Sequence, residues 1–142
     1  MTHANPPDAK LYEILDKAKT IAVVGASSNP DRSSHGVMHQ LLEAGYDVYP
    51  VNPNEAEVLG RKAYASLSDI PVPVDIVNVF RQASATPPIA AEAVAIGAKT
   101  LWFQLGIVND TAAATAAIGG LNVVMDNCIA VTRRLLAVPR RG

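Results

Sequence analysis

Thr20-Ile21-Ala22-Val23-Val24-Gly25-Ala26-Ser27-Ser28-Asn29-Pro30 is the stretch that decides the fold. Ile21 to Val24 are apolar without polar alternation, which suits a strand buried on both faces of a parallel sheet. Gly25 then admits a backbone conformation that other residues resist, and Ala26 and Ser27 add little bulk. Helix-compatible sequence begins near Ser33 or Ser34. A strand, a tight turn and a helix start in that order leave main-chain N–H groups unpaired at the positive end of a helix dipole, which is an anion site. The dinucleotide pattern G-x-G-x-x-G is not met, since Ser27 and Pro30 stand where the second and third glycines belong.

Working outward, the same alternation recurs along the chain. Before the strand, Leu11, Ile14, Leu15 and Ala18 form one apolar stripe, so an N-terminal helix is expected within 1–19. After it, Val37, Met38, Leu41 and Leu42 give a helix from Ser34 to Ala44, ended by Gly45. A second strand runs from Asp47 to Val51 and stops at Asn52-Pro53. Arg61 to Ala65 reads as a minor extended piece, and residues 66–70 read as one helical turn. A third strand covers 74–80, with Arg81 and Gln82 at its carboxyl end. Thr86-Pro87 opens a helix that Gly97 closes. A fourth strand spans Lys99 to Gln104, and Asn109-Asp110 caps an alanine-rich helix reaching Ile118. A fifth strand spans Leu121 to Met125, and a last helix runs through Leu136 to a frayed tail, placed at 137–142.

Strands and helices alternating at these lengths predict a single α/β domain over 1–142. The form is a Rossmann-like, doubly wound parallel sheet of about five strands with right-handed crossovers, and the expected strand order is 3-2-1-4-5. Ligands of such sheets lie beyond the carboxyl ends of the strands, where the order reverses. That rule gathers Gly25 to Ser28, Asn52-Pro53, Phe80-Arg81, Gln104 to Gly106 and Asp126-Asn127 into one crevice.

The 142 residues are 49% hydrophobic and 18% charged, with a net charge of -1, which is a compact-domain profile without a general nucleic-acid or membrane footprint. The single cysteine, Cys128, excludes an internal disulfide. His3, Asn5, Pro6 and Pro7 do not have the order of a secretory leader, so a cytoplasmic location is expected.

Residue types narrow the ligand. NAD sites usually end the second strand in Asp or Glu, which accepts hydrogen bonds from the adenosine ribose. Here Val51-Asn52-Pro53 occupies that place, and Arg32, Arg61, Lys62 and Arg81 lie within reach, which favours a phosphorylated ribose. Phe80 stands where an aromatic face can pack on a purine. His35 and His39 have the spacing of a zinc-protease helix, but Gly36 replaces the general base. No tyrosine is followed four residues later by lysine, so the proton carrier of short-chain dehydrogenases is missing, and no histidine adjoins Cys128 in sequence to activate its thiol.

The segments VVGASSNPDRSSHGV, GYDVYPVNPNEAEVLGRKAYASLSDIP, VDIVNVFR, IGAKTLWFQLGIVND and GLNVVMDNC resemble the small stand-alone CoA-binding domain proteins, which are related to the N-terminal domain of the succinyl-CoA synthetase alpha subunit. The likeness spans Thr20 to Cys128. It implies that Gly25, Ala26, Ser27 and Ser28 hold the pyrophosphate and that Arg32, Ser33 and Ser34 add phosphate contacts. It also implies that Asn52 and Pro53 border the adenosine and that Phe80 and Arg81 close that pocket. The pantetheine arm is expected to run toward Gln104 and Asn127. After Cys128 the resemblance stops, since Ile129 to Arg134 replaces the usual proline and Glu-His pair.

The implied function is binding of coenzyme A or an acyl-CoA without turnover, as a carrier, a sensor or the partner of an acyl-CoA enzyme. The ligases of this family phosphorylate a histidine in a separate domain, for which 142 residues leave no room. An NAD(P) sensor or oxidoreductase fragment is the alternative reading.

Overall fold

The computed structural model describes residues 3–141; residues 1, 2 and 142, which the expected N-terminal helix and C-terminal tail include, lie outside the described residues. In chain order the elements are α1 (Asp8–Lys17), β1 (Thr20–Val24), α2 (Ser33–Glu43), β2 (Asp47–Val51), a small hairpin of β3 (Glu57–Val58) and β4 (Arg61–Lys62), β5 (Ile76–Val79), α3 (Thr86–Ala95), β6 (Thr100–Phe103), α4 (Asp110–Ile118), β7 (Asn122–Val124) and α5 (Ile129–Leu135). All five residues of β1 and all four of β5 and of β6 are buried, which is why these strands read as unbroken apolar runs.

Side-chain alternation along the strands divides the core into two layers. Ile21, Val23, Ile76, Trp102 and Val124 face α1, α2 and α5. Ala22, Val24, Val77, Leu101, Phe103 and Val123 face α3 and α4. The second pair of helices is rich in alanine, and Ala90, Ala93, Ala112 and Ala116 are fully buried between them and the sheet. Asn109 caps α4 as the sequence predicts, its side chain accepting from Ala112 N at 2.9 Å.

The five strands pair in parallel in the order β2-β1-β5-β6-β7. Counting the five predicted strands, this is 2-1-3-4-5, so the expected order 3-2-1-4-5 is corrected in the placing of the third strand. The reason lies at the outer edge of β2. Pro50 has no N–H to give a neighbour, and that edge is covered by the chain that follows: Tyr64 N donates to Pro50 O at 2.9 Å, Asn52 N to Tyr64 O at 2.9 Å, and Arg61 Nε to Val48 O at 3.0 Å. The wholly buried third strand therefore belongs inside the sheet, between β1 and β6. The point where the winding reverses is accordingly the β1/β5 boundary.

Both ends of the described stretch are tied down. Asn5 imitates a strand at the β7 edge, its amide donating to Met125 O at 2.7 Å and accepting from Met125 N at 2.8 Å. Beyond α5, where a frayed tail is expected, Val138 is buried and Arg141 N donates to Ala44 O at 2.6 Å.

Asp75 closes the amino end of the sheet. Its Oδ2 accepts from Lys19 N at 2.8 Å and Thr20 N at 3.1 Å, linking the start of β1 to the start of β5. Partial burial pushes its pKa upward, but those two N–H donors and the nearby Lys99 outweigh it and hold the carboxyl below the usual range. A depressed folded pKa gives stability that is complete above the unfolded value of about 4 and is lost as pH falls through the folded value. Asp75→Ala is expected to cost about 2 kcal/mol at neutral pH. Urea melts from about pH 7 to about pH 2 should show the variant and the parent converging under acid, and parallel curves at every pH would refute this role.

Candidate functional site

The order of the strands places β1 between β2 and β5, so three strand ends meet at the turn after β1. Gly25 N donates to Val51 O at 2.9 Å and Phe80 N to Val24 O at 2.8 Å, which stitches the turn to both neighbours. Gly25 has φ +87, and a β-carbon there would lie 3.0 Å from Phe80 O, so this position requires glycine for its conformation and for space. Asn52 fastens the next residue, its Nδ2 donating to Ala26 O at 2.8 Å while its Oδ1 accepts from Asn54 N at 2.9 Å. Its amide thus supports the turn from the β2 side.

Residues 27–32 form a chain of local hydrogen bonds that delivers the backbone to α2. Asn29 N donates to Ser27 Oγ at 3.1 Å, Asp31 N to Asn29 Oδ1 at 2.9 Å, and Arg32 N to Asn29 O at 3.0 Å. Arg32 then holds the cap position of α2 without any side-chain cap, and the first turn of the helix contains no acid. Among the described residues, the N–H groups of Ala26, Ser27, Ser33 and Ser34 donate to no protein acceptor. Three of these donors, that of Ser27 and those of Ser33 and Ser34 at the uncapped helix start, belong to residues that line one cleft of about 250 Å³, together with Gly25, Arg32, Asn52 and Phe80.

All seven lining residues are ones the sequence singles out. Ala26 is fully buried beneath the turn and does not line the cleft. Arg81 is exposed, and its Cδ lies 3.2 Å from where a Gly25 β-carbon would stand, so its stem lies against the turn. Pro53 is exposed and does not line the cleft. Gln104 is brought elsewhere: it is buried at the end of β6, its Oε1 accepting from Asn78 Nδ2 and Ile129 N, each at 3.4 Å. Asn127 is likewise engaged, its backbone oxygen accepting from Trp102 Nε1 at 2.9 Å and its side-chain oxygen from the Thr132 hydroxyl. Arg61 is paired with Asp47 and lies over Tyr49, and Lys62 lies over Tyr64, so both belong to the hairpin covering the sheet edge.

Ser28 is held at the outer end of the turn by a residue the sequence reading misses. The Glu55 carboxylate accepts from Ser28 N at 2.6 Å and from Ser28 Oγ at 2.9 Å. Those two hydrogen bonds, the backbone one first, keep its pKa below the usual carboxylate range. The contact joins positions 27 residues apart, and no local pattern signals it. A second hollow, of about 150 Å³, lies between α1 and the strand starts with Lys10, Glu13, Lys17, Asp75 and Lys99 around it, at the end of the sheet opposite the cleft.

The fold and the cleft together define a Rossmann-like α/β domain with unpaired main-chain donors lining a cleft at its switch point. The chain belongs to the CoA binding domain family, whose match covers residues 19–134. The uncharacterised protein YneT of Bacillus subtilis is 46% identical over 127 residues, covering 89% of this chain and 94% of that one. The alpha subunit of ADP-forming acetate–CoA ligase I of Pyrococcus furiosus is 36% identical over 95 residues, covering 63% of this chain and only 21% of the ligase subunit. Among solved structures, a hypothetical protein of Pyrococcus horikoshii OT3 superposes with a TM-score of 0.91 at 41% identity, covering 96% of this chain and 99% of that one. No helix among the described residues is long and apolar enough to cross a membrane.

Proposed function

We propose that the cleft binds coenzyme A or an acyl-CoA and that the domain acts as a binding module without chemistry of its own. The observation that carries this reading is the convergence on one cleft of three unpaired N–H donors, that of Ser27 in the β1 turn and those of Ser33 and Ser34 at the uncapped start of α2. Membership of the CoA binding domain family supports the identity of the ligand. In this reading the pyrophosphate takes the donors of Ser27, Ser33 and Ser34 and reaches those of Ser28 at the outer end of the turn. Phe80 offers a face to the adenine, Asn52 and Pro53 frame it, and Arg32 or Arg81 meets the ribose phosphate. The pantetheine arm leaves toward the Gln104 end of the sheet. A carrier or sensor role follows, and the likeness to acetate–CoA ligase subunits supports an acyl-CoA enzyme as the partner.

Calorimetry tests the reading. Each charge-assisted contact to phosphate contributes about 1.5–3 kcal/mol, so CoA is expected to bind about 10- to 100-fold more tightly than dephospho-CoA. Whichever of Arg32→Ala and Arg81→Ala removes that preference identifies the base. Equal affinity for the two coenzymes would remove the ribose-phosphate contact. A larger thermal shift with NAD or NADP than with CoA, at matched concentration, would instead favour an NAD(P) sensor or oxidoreductase fragment.

A further inference from the structure

The Glu55 contact is an anomaly in a site built for anions. Arg32 is on the wall of the cleft and Arg81 lies against the turn, yet Glu55 is ion-paired with neither of them. Its partners are instead Ser28 N and Ser28 Oγ, donors of the same turn that carries the free N–H groups. A carboxylate that accepts two hydrogen bonds there engages donors of the kind an anionic ligand's oxygens take, at the outer end of the turn, one residue beyond the cleft-lining Ser27. Glu55 stands on a partly exposed turn, which leaves its side chain a route into solvent.

We infer that Glu55 is a tethered competitor for the anion site: its carboxylate holds the Ser28 donors in the empty protein and leaves them when a diphosphate arrives. Binding is then an exchange of one anion for another at Ser28. The apparent affinity is the intrinsic affinity reduced by the fraction of molecules in which the clasp is open. If the clasp is closed about nine-tenths of the time, removing it tightens binding about tenfold. A carboxylate left in place beside a diphosphate would also repel it, and this acts in the same direction. The inference rests on the reading of this cleft as an anion site, and it extends that reading to how the site is regulated.

The test uses two probes, inorganic pyrophosphate and CoA, on the wild-type chain, Glu55→Ala and Glu55→Gln. Affinities come from calorimetry, and the Ser28 amide is followed by NMR. Glu55→Ala is expected to bind both probes about tenfold more tightly, with Glu55→Gln between it and the wild type. In the ligand-free variant, the Ser28 amide should lose the shift imposed by the carboxylate. Tightening toward pyrophosphate while CoA binds none of the three supports the clasp and removes the coenzyme reading. CoA binding that is unchanged or weaker in Glu55→Ala overturns the clasp and leaves the coenzyme reading standing. No binding of either probe to any of the three chains overturns both.

Discussion

Gly25→Ala is expected to abolish tight CoA binding while leaving a folded, destabilised domain. The residue has φ +87, a conformation that costs an L-residue about 1–2 kcal/mol. The added β-carbon also meets Phe80 O at 3.0 Å and Arg81 Cδ at 3.2 Å. The arginine stem can move aside, but Phe80 O belongs to a backbone held by the bond from Phe80 N to Val24 O. The turn must therefore yield, and with it the N–H group of Ser27. A fall in CoA affinity of about 10- to 100-fold is expected in calorimetry. Gly60→Ala is the control, since Gly60 has φ +77 with nothing within 4 Å of its β-carbon position, so it bears the conformational cost alone. Its CoA affinity should be that of the parent. A Gly25→Ala protein that binds CoA as tightly as Gly60→Ala would show that the turn does not hold the ligand.

Trp102→Ala is expected to have the largest effect on stability. The indole is fully buried in the layer shared with α1, α2 and α5, and its Nε1 donates to Asn127 O at 2.9 Å. Removing a buried aromatic of this size costs about 3–5 kcal/mol, a large share of the roughly 5–15 kcal/mol that holds a domain folded. Trp102→Phe keeps most of the apolar contact but leaves Asn127 O without its donor, for about 1–2 kcal/mol. Urea melts followed by circular dichroism should rank the three chains in that order. Equal midpoints for the phenylalanine and alanine variants would show that the bond to Asn127, and not the packing, carries the contribution of the indole.

The elements were legible because the local signals agreed with one another. Asn109 caps α4 where the sequence says, Thr86-Pro87 opens α3, and Gly97 follows its end. The strand order departs from the expected one although the chain carries a clue to it. Pro50 lies inside the second strand, which also carries an exposed Asp47 and a half-buried Tyr49, the profile of an edge strand, whereas Ile76-Val77-Asn78-Val79 is buried throughout. Gln104 ends a strand, where the sequence places a site residue, and its side chain turns inward to Asn78 and the start of α5. Asn78 itself has a buried Oδ1 with no partner among the described residues, and nothing in its local sequence marks it out.

Read alone, the chain determined the class of fold, the glycine turn after the first strand and the family, because these rest on periodicity, glycine placement and short motifs that act within a few residues. Tertiary structure decided which strands flank β1, that Asn52 supports the turn through Ala26, that Gln104 lies outside the cleft and that Glu55 closes on Ser28. Each of these depends on where distant backbone segments leave a hydrogen-bonding group unpaired, and pairing across space leaves no periodic trace in the order of residues.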